Sequence, residues 1–127
     1  MSVSPRILAH VGDAVFHLFE RERIAIGAVS ARQMHAKARV SAQMQADLLE
    51  KMRPALDQRE LELVRRARNM KATGYRRGDQ SSYRQATAFE ALLGFLYLSD
   101  LPRLKHLLDS TLAPGEPESG DSSDDKP

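Results

Sequence analysis

The sequence predicts an all-α protein with a single folded domain. Apolar residues recur every three or four positions along most of the chain, which is the spacing that gives a helix one buried face. Ser, Asp and Pro precede several of these stretches, as expected at helix N-termini. No stretch alternates apolar and polar residues over enough positions to indicate a β-strand. A chain of 127 residues has room for one hydrophobic core.

The first predicted helix begins at Pro5, a residue that suits the first turn of a helix, with Ser4 as its N-cap. Apolar residues follow at helical spacing, and Gly27 ends this helix or the turn after it. A second helix is predicted over about residues 30–38. A third is predicted over about residues 41–53, because a serine precedes it and a proline ends it.

The second half of the chain predicts three more helices separated by one loop. Asp57 and Glu60 have the spacing of a capping box, in which each residue binds the backbone N–H of the other at a helix start. Residues 72–82 contain two glycines and no periodicity, so they predict a loop. A long helix follows from about Tyr83 to Leu98, and a short helix covers about residues 102–112.

The distribution of charge separates a basic body from an acidic tail. Residues 1–112 hold 18 of the 19 Lys and Arg residues and 12 of the 17 Asp and Glu residues, which gives this part a net charge of +6. Residues 113–127 are rich in Pro, Gly, Ser and acids and are predicted to be a disordered acidic tail. A basic domain favours a polyanionic partner such as nucleic acid, although a mildly basic domain is also simply soluble.

Composition also excludes several classes of protein. Cysteine is absent, so the chain has neither disulfide bonds nor a thiolate metal site. The apolar runs are shorter than the roughly 20 residues that cross a bilayer. His10 and Asp13 interrupt the first apolar stretch, which does not fit a secretory signal. We therefore expect a soluble, cytoplasmic protein.

Two of the predicted helices each carry one carboxylate in an otherwise apolar stretch. Asp13 is the only acid within residues 7–19, and Glu90 is the only charged residue within residues 86–98. Burying a lone carboxylate is costly unless a cation or several donors compensate its charge. Small residues such as Gly12 let the two helices approach closely and leave space beside each carboxylate, so the two acids can face one another.

Two facing carboxylates repel, and one becomes protonated unless a cation lies between them. Mg²⁺ suits such a site, since one or two carboxylates usually hold it together with waters and substrate phosphates. The alternative is that each acid pairs with a Lys or Arg. A zinc or iron site formed by His10, Asp13 and His17 is a further alternative. Three ligands from one helix seldom converge, so we expect both histidines to be partly buried and hydrogen-bonded.

The residues around both acids are similar to known motifs. "VGDAVF" around Asp13 resembles the signature helix of the ribonuclease III family, and "FEALLGFLYL" around Glu90 resembles its second acidic motif. "HAKARVSAQMQA", "RRARNMK" and "YRQATAFEALLG" look like the small bacterial branch of that family, Mini-ribonuclease III, which lacks a double-stranded-RNA-binding domain. The resemblance covers roughly residues 4–112, and we take residues 1–112 as the catalytic domain.

This resemblance implies a homodimeric helical bundle that cleaves double-stranded RNA. Asp13 and Glu90 would be its catalytic carboxylates and would bind Mg²⁺, with Mn²⁺ as a substitute. The implied substrate is a precursor of ribosomal RNA, the 23S precursor in particular. Full-length ribonucleases III carry additional acids where this chain has Arg6, Ala9 and Thr87, and the Mini-ribonuclease III branch resembles this sequence in having the reduced set.

Basic and polar residues in the same motifs are candidates for RNA binding, because A-form RNA is recognised through its phosphates and 2′-hydroxyls. These candidates are His35, Lys37, Arg39, Arg65, Arg68, Asn69, Lys71, Arg76, Arg77 and Arg84. The loop that holds Arg76 and Arg77 is alternatively an ordinary solvated loop. Two alternatives to a nuclease are a non-catalytic RNA-binding or ribosome-associated module and a purely structural dimer.

Overall fold

A computed structural model of the protein describes residues 3–27, 42–70 and 80–112. Within these ranges the chain is almost entirely helical and has no strand, which confirms the predicted fold class. Five α-helices follow one another in the order α1 (Pro5–Gly27), α2 (Ala42–Met52), α3 (Gln58–Arg68), α4 (Gln80–Ser99) and α5 (Leu101–Thr111), with a short 3₁₀ helix (Arg53–Ala55) between α2 and α3. The predicted helix over residues 30–38, most of the loop and the acidic tail lie outside the described residues.

Helix α4 is the centre of the bundle. Helices α1, α2 and α3 all pack along it, and α5 packs near its C-terminal end. Leu92 and Leu93 on adjacent positions of α4 are both fully buried, so this helix is covered on most sides, which explains its nearly uncharged sequence. Phe89 of α4 meets Phe16 of α1 edge to face, with 5.2 Å between the ring centroids. None of the described helices is long and apolar enough to cross a membrane.

The predicted capping box at the start of α3 is confirmed. The Asp57 carboxylate accepts a hydrogen bond from the Glu60 backbone N–H at 2.8 Å, and the Glu60 carboxylate accepts one from the Asp57 N–H at 2.8 Å. Glu60 is also 1% exposed and forms a bidentate ion pair with Arg103 of α5. Arg103 donates a further hydrogen bond to the Ala55 carbonyl. The cap therefore also joins α3 to α5.

Helix α4 begins at Gln80, three residues before the predicted start at Tyr83. The added turn contains Ser82, whose hydroxyl donates a 2.7 Å hydrogen bond to the side-chain oxygen of Gln43 in α2. This contact joins residues 39 positions apart, so local periodicity does not reveal it.

We expect Asp57→Ala to lower the free energy of unfolding by about 1 kcal/mol, the usual cost of removing an N-cap side chain. Urea denaturation monitored by circular dichroism measures this change. Asp57→Asn is the matched control, because an asparagine oxygen can still accept from the Glu60 N–H and should preserve most of the stability. Equal stability of Asp57→Ala and the wild type would show that the capping box does not stabilise α3.

Candidate active site

Helices α1 and α4 cross with their backbones in direct contact. A Cβ atom added at Gly12 would lie 1.6 Å from the carbonyl oxygen of Glu90, and one added at Gly94 would lie 2.0 Å from the carbonyl oxygen of Leu8. Only glycine is compatible with this approach. The space predicted beside the carboxylates is thus occupied at Gly12 by the α4 backbone, and the same contact places Asp13 next to Glu90.

The side chains of Asp13 and Glu90 interact directly. Burial raises the pKa of Glu90 from its ordinary value of 4.5 to about 8, and a hydrogen bond to Asp13 and the charge of Asp13 contribute to this rise. A hydrogen bond from Gln45 of α2 acts in the opposite direction. Near neutral pH, and without a cation, Glu90 therefore keeps its proton. A cation between them would take over the role of that proton.

The two carboxylates differ in burial. The Asp13 side chain is 56% exposed, whereas Glu90 is partly buried. The sequence pattern treats Asp13 as a buried acid, and this is wrong because its side chain faces an open cavity. Glu90 is the member of the pair whose pKa burial raises.

Both carboxylates line a cavity of about 520 Å³ between α1, α4 and the end of α3. Its lining residues are Arg6, Ala9, His10, Asp13, Met70, Tyr83, Thr87 and Glu90. Three of these residues, Arg6, Ala9 and Thr87, stand where the family resemblance implies acids in full-length ribonucleases III. The cavity wall consequently carries one cation and two carboxylates, a combination that suits a phosphate group and a metal ion.

The two histidines near Asp13 occupy different environments. The Nε2 atom of His17 lies 3.3 Å from Oδ1 of Asp13, and its side chain is 40% exposed. His10 is exposed rather than partly buried, because it lies at the cavity. Over the described ranges no three His, Asp or Glu residues form a group that could hold a metal ion. Asp13 and Glu90 offer two carboxylates at one cavity, a ligand set that fits a cation such as Mg²⁺, which keeps waters and adds phosphate oxygens to a pair of carboxylates.

Three of the predicted RNA-binding residues lie at the C-terminal end of α3. Arg68 and Arg65 line a groove of about 260 Å³ together with Arg53. Arg65 forms an exposed ion pair with Glu62, at 2.6 Å. Asn69 is the C-cap of α3. The last turn of α3 therefore exposes guanidinium groups to solvent.

Arg84 of α4 contacts the end of α3, and its role in RNA binding stays a prediction. Its guanidinium donates hydrogen bonds to the backbone carbonyls of Arg68 at 3.3 Å and Met70 at 3.5 Å. A cation at the C-terminus of a helix stabilises the unpaired carbonyls there. Arg84 thus fixes the end of α3 against α4. The other candidates, His35, Lys37, Arg39, Lys71, Arg76 and Arg77, lie outside the described residues.

Sequence reasoning missed Gln45, which contacts Glu90 from α2. A signal for it exists in the sequence, because the other buried residues of α2 are all apolar: Ala46, Leu48, Leu49 and Met52. A glutamine on the apolar face of a helix needs a buried hydrogen-bond partner. The sequence does not reveal which residue that partner is.

Without a divalent metal, the raised pKa of Glu90 should make stability depend on pH. The folded chain holds the Glu90 proton up to about pH 8, whereas the unfolded chain loses it near 4.5. This contribution is fully present below the unfolded value and is lost as pH rises through the folded value. We therefore expect the wild-type free energy of unfolding to fall, relative to that of Glu90→Gln, between about pH 5 and pH 8. Urea denaturation in EDTA measures the difference, and a constant difference would contradict the raised pKa.

Comparisons with known proteins agree with this geometry. The sequence pattern of the Ribonuclease III domain matches residues 6–101. The chain is 42% identical over 108 residues to a Mini-ribonuclease 3 from Synechococcus sp., covering 84% of this chain and 78% of that protein. It is 44% identical over 100 residues to a Mini-ribonuclease 3 from Brevibacillus brevis, covering 76% of this chain and 75% of that protein.

A crystal structure of protein FN1578 from Fusobacterium nucleatum has the same fold, with a TM-score of 0.78 and 25% identity over 89% of this chain and 96% of that one. The domain match spans both Asp13 and Glu90. This chain is therefore an endoribonuclease of the ribonuclease III family and belongs to its Mini-ribonuclease III branch.

Proposed function

We propose that this endoribonuclease cleaves double-stranded RNA with a Mg²⁺ ion held by Asp13 and Glu90, and that Mn²⁺ can replace Mg²⁺. The observation that carries the proposal is the pairing of these two carboxylates from different helices beside an open cavity. Each acid alone has a structural explanation. Together they form a site with excess negative charge that a divalent cation neutralises.

The residues that line the cavity have two roles, binding of the cation and binding of the substrate phosphate. When bound, a divalent cation lowers the pKa of a coordinated water and supplies positive charge for the phosphate oxygens. Asp13 and Glu90 would hold the cation as carboxylates, and Glu90 would release its proton to do so. Arg6 lines the same cavity and offers a cation to the phosphate of the substrate.

Double-stranded RNA is the substrate that the surrounding charges favour. Arg65 and Arg68 lie in the last turn of α3, and Met70, two residues after that helix, lines the cavity. Guanidinium groups bind phosphates at fixed spacing, as a duplex backbone presents them. The similarity to Mini-ribonuclease III supports a ribosomal RNA precursor, 23S in particular, as the substrate in the cell.

Cleavage of one labelled RNA sequence, offered as a duplex and as a single strand, tests this function. We expect Mg²⁺-dependent cutting of the duplex, little cutting of the single strand, and no cutting in EDTA. Binding should weaken steeply as salt concentration rises, because RNA phosphates release counterions when arginines bind them. Equal cutting in EDTA, or a preference for the single strand, would contradict the proposal. Mapping of ribosomal RNA ends in cells with and without the protein tests the 23S assignment.

We also propose that two copies of the chain associate through α1. Ile7 and Leu18 lie on one exposed face of this helix, with their side chains 56% and 50% exposed, and Val11 and Ala14 lie between them at helical spacing. A continuous apolar stripe on the surface favours association. Leu18→Asp should convert a dimer to a monomer in sedimentation experiments. A wild-type chain that is monomeric at micromolar concentration would overturn this proposal.

A further inference from the structure

Arg84 of α4 connects the central helix to the end of α3. Its Nη1 atom donates hydrogen bonds to two backbone carbonyls, that of Arg68 at 3.3 Å and that of Met70 at 3.5 Å. Nη1 carries two N–H groups, and these two carbonyls use both of them. This end of the guanidinium is therefore committed to the protein backbone and has no hydrogen left for a phosphate oxygen.

The segment that Arg84 contacts comes directly at the end of α3. The Asn69 N–H donates to the Arg65 carbonyl at 3.1 Å, and the Met70 N–H donates to the Ala67 carbonyl at 3.2 Å. Both bonds join the segment to its own helix and do not themselves fix its position relative to α4. The bonds from Arg84 supply that connection, and a cation is favourable there because carbonyls at a helix C-terminus lack intrahelical partners.

Arg68 is the arginine of this region that is available to a ligand. Arg53, Arg65 and Arg68 line one groove. The first two are paired with carboxylates one turn earlier, Glu50 and Glu62. Arg68 is exposed and forms no ion pair with another described residue, so it can bind a phosphate without first giving up a carboxylate. The hydrogen bonds described above hold the backbone that carries this guanidinium.

Helix α4 carries both the link to Arg68 and one of the two carboxylates. Arg84 and Glu90 are six residues apart in the sequence, which is about 9 Å along a helix. Helix α4 is also the buried centre of the bundle, so it is a rigid reference for both groups. We propose that Arg84 is a positioning residue that holds Arg68 where one RNA duplex meets both its guanidinium and the carboxylates of the cavity. This inference rests on the proposed function, since it takes duplex RNA as the substrate.

Duplex binding in EDTA tests this role through a double-mutant cycle of Arg84→Gln and Arg68→Gln in the full chain. Each single variant should weaken binding by about 10-fold, the weight of one charge-assisted contact, and should lower the slope of log affinity against log salt by about 1. Because Arg84 acts through Arg68, the double variant should bind about as well as either single variant, and its slope should also fall by only about 1.

Arg66→Gln is the matched control, because it removes one exposed guanidinium from the same helix. Arg66 lines a different groove, together with Arg59 and Phe95. Its effect should therefore multiply with that of Arg84→Gln. Melting temperatures of all variants measure any loss of stability, and binding is measured well below the lowest of them. If Arg84→Gln does not fold, Arg84→Lys replaces it, since an ammonium does not reproduce the planar guanidinium contact, and the same coupling to Arg68 is expected.

Two results would overturn this inference. If the double variant of Arg84 and Arg68 loses the product of the two single effects, and its salt slope falls by about 2, Arg84 contacts a phosphate itself. If Arg84→Gln melts at a lower temperature but binds the duplex like the wild type, its role is only structural.

The metal-free assay also separates this inference from the proposed function. A wild-type chain that binds duplex RNA but does not cut it with Mg²⁺ overturns the proposed cleavage, while the cycle still decides whether Arg84 acts through Arg68. A wild-type chain that does not bind duplex RNA overturns the duplex as substrate, and the role of Arg84 with it.

Discussion

Replacing Glu90 with Gln, or Asp13 with Asn, should lower the rate of RNA cleavage by about 1000-fold or more. Each substitution keeps the shape of the side chain but removes one of the two carboxylates that line the cavity. The chemical step then loses several kcal/mol of electrostatic stabilisation from a bound cation, and each 1.4 kcal/mol is about a tenfold change in rate. The measurement is single-turnover cleavage of a labelled duplex at saturating Mg²⁺.

Two controls distinguish loss of chemistry from loss of folding or binding. Glu50→Gln makes the same chemical change at an exposed carboxylate that pairs with Arg53 on the surface, so its cleavage rate should match the wild type. Duplex binding by Glu90→Gln in EDTA near neutral pH should equal that of the wild type, because Glu90 without a cation already holds a proton there and the substitution removes no charge. Wild-type cleavage by either Asp13→Asn or Glu90→Gln would exclude that residue from the catalytic site.

Gly12→Ala should have the largest effect on stability. Alanine is a better helix former than glycine by about 1 kcal/mol, so an exposed position would gain stability from this change. At Gly12 the added Cβ would lie 1.6 Å from the Glu90 carbonyl oxygen, and a backbone atom cannot rotate away as a side chain can. Overpacking usually costs about 1 to 3 kcal/mol, and separating two helix backbones lies at or beyond the upper end of that range.

Urea denaturation should therefore show a loss of at least about 3 kcal/mol for Gly12→Ala, or a chain that does not fold. The control is Ala14→Gly on the exposed side of the same helix, which should cost only about 1 kcal/mol through helix propensity. A Gly12→Ala chain as stable as the wild type would contradict the close crossing of α1 and α4.

The sequence predicted what depends on local patterns. Helix α1 and the capping box of Asp57 and Glu60 follow from residue spacing and end-capping chemistry, and the structure contains both. The closeness of Asp13 and Glu90 was predicted from a different signal, two isolated acids in apolar helices with glycine nearby. That inference works because an isolated acid in such a helix needs compensation, so its position carries information about a distant partner.

Other features depend on contacts between distant segments and could not be predicted. Gln45 is recognisable as an exception on α2, but its contact with Glu90 depends on how α2 packs against α4. The exposure of Asp13 depends on the cavity that the end of α3 helps to form. Arg84 looks like an RNA-binding residue by charge, and only the fold reveals that it binds the terminal carbonyls of α3.

The most direct test of the central claim, that Asp13 and Glu90 form one catalytic site, is single-turnover duplex cleavage by the Asp13→Asn/Glu90→Gln double variant. Groups that act as a unit are strongly non-additive, so removing both should cost about as much as removing one. The predicted result is a double variant whose cleavage rate lies within a few-fold of the slower single variant. A wild-type rate in either single variant, or a double variant that loses the product of the two single effects, would contradict a shared site.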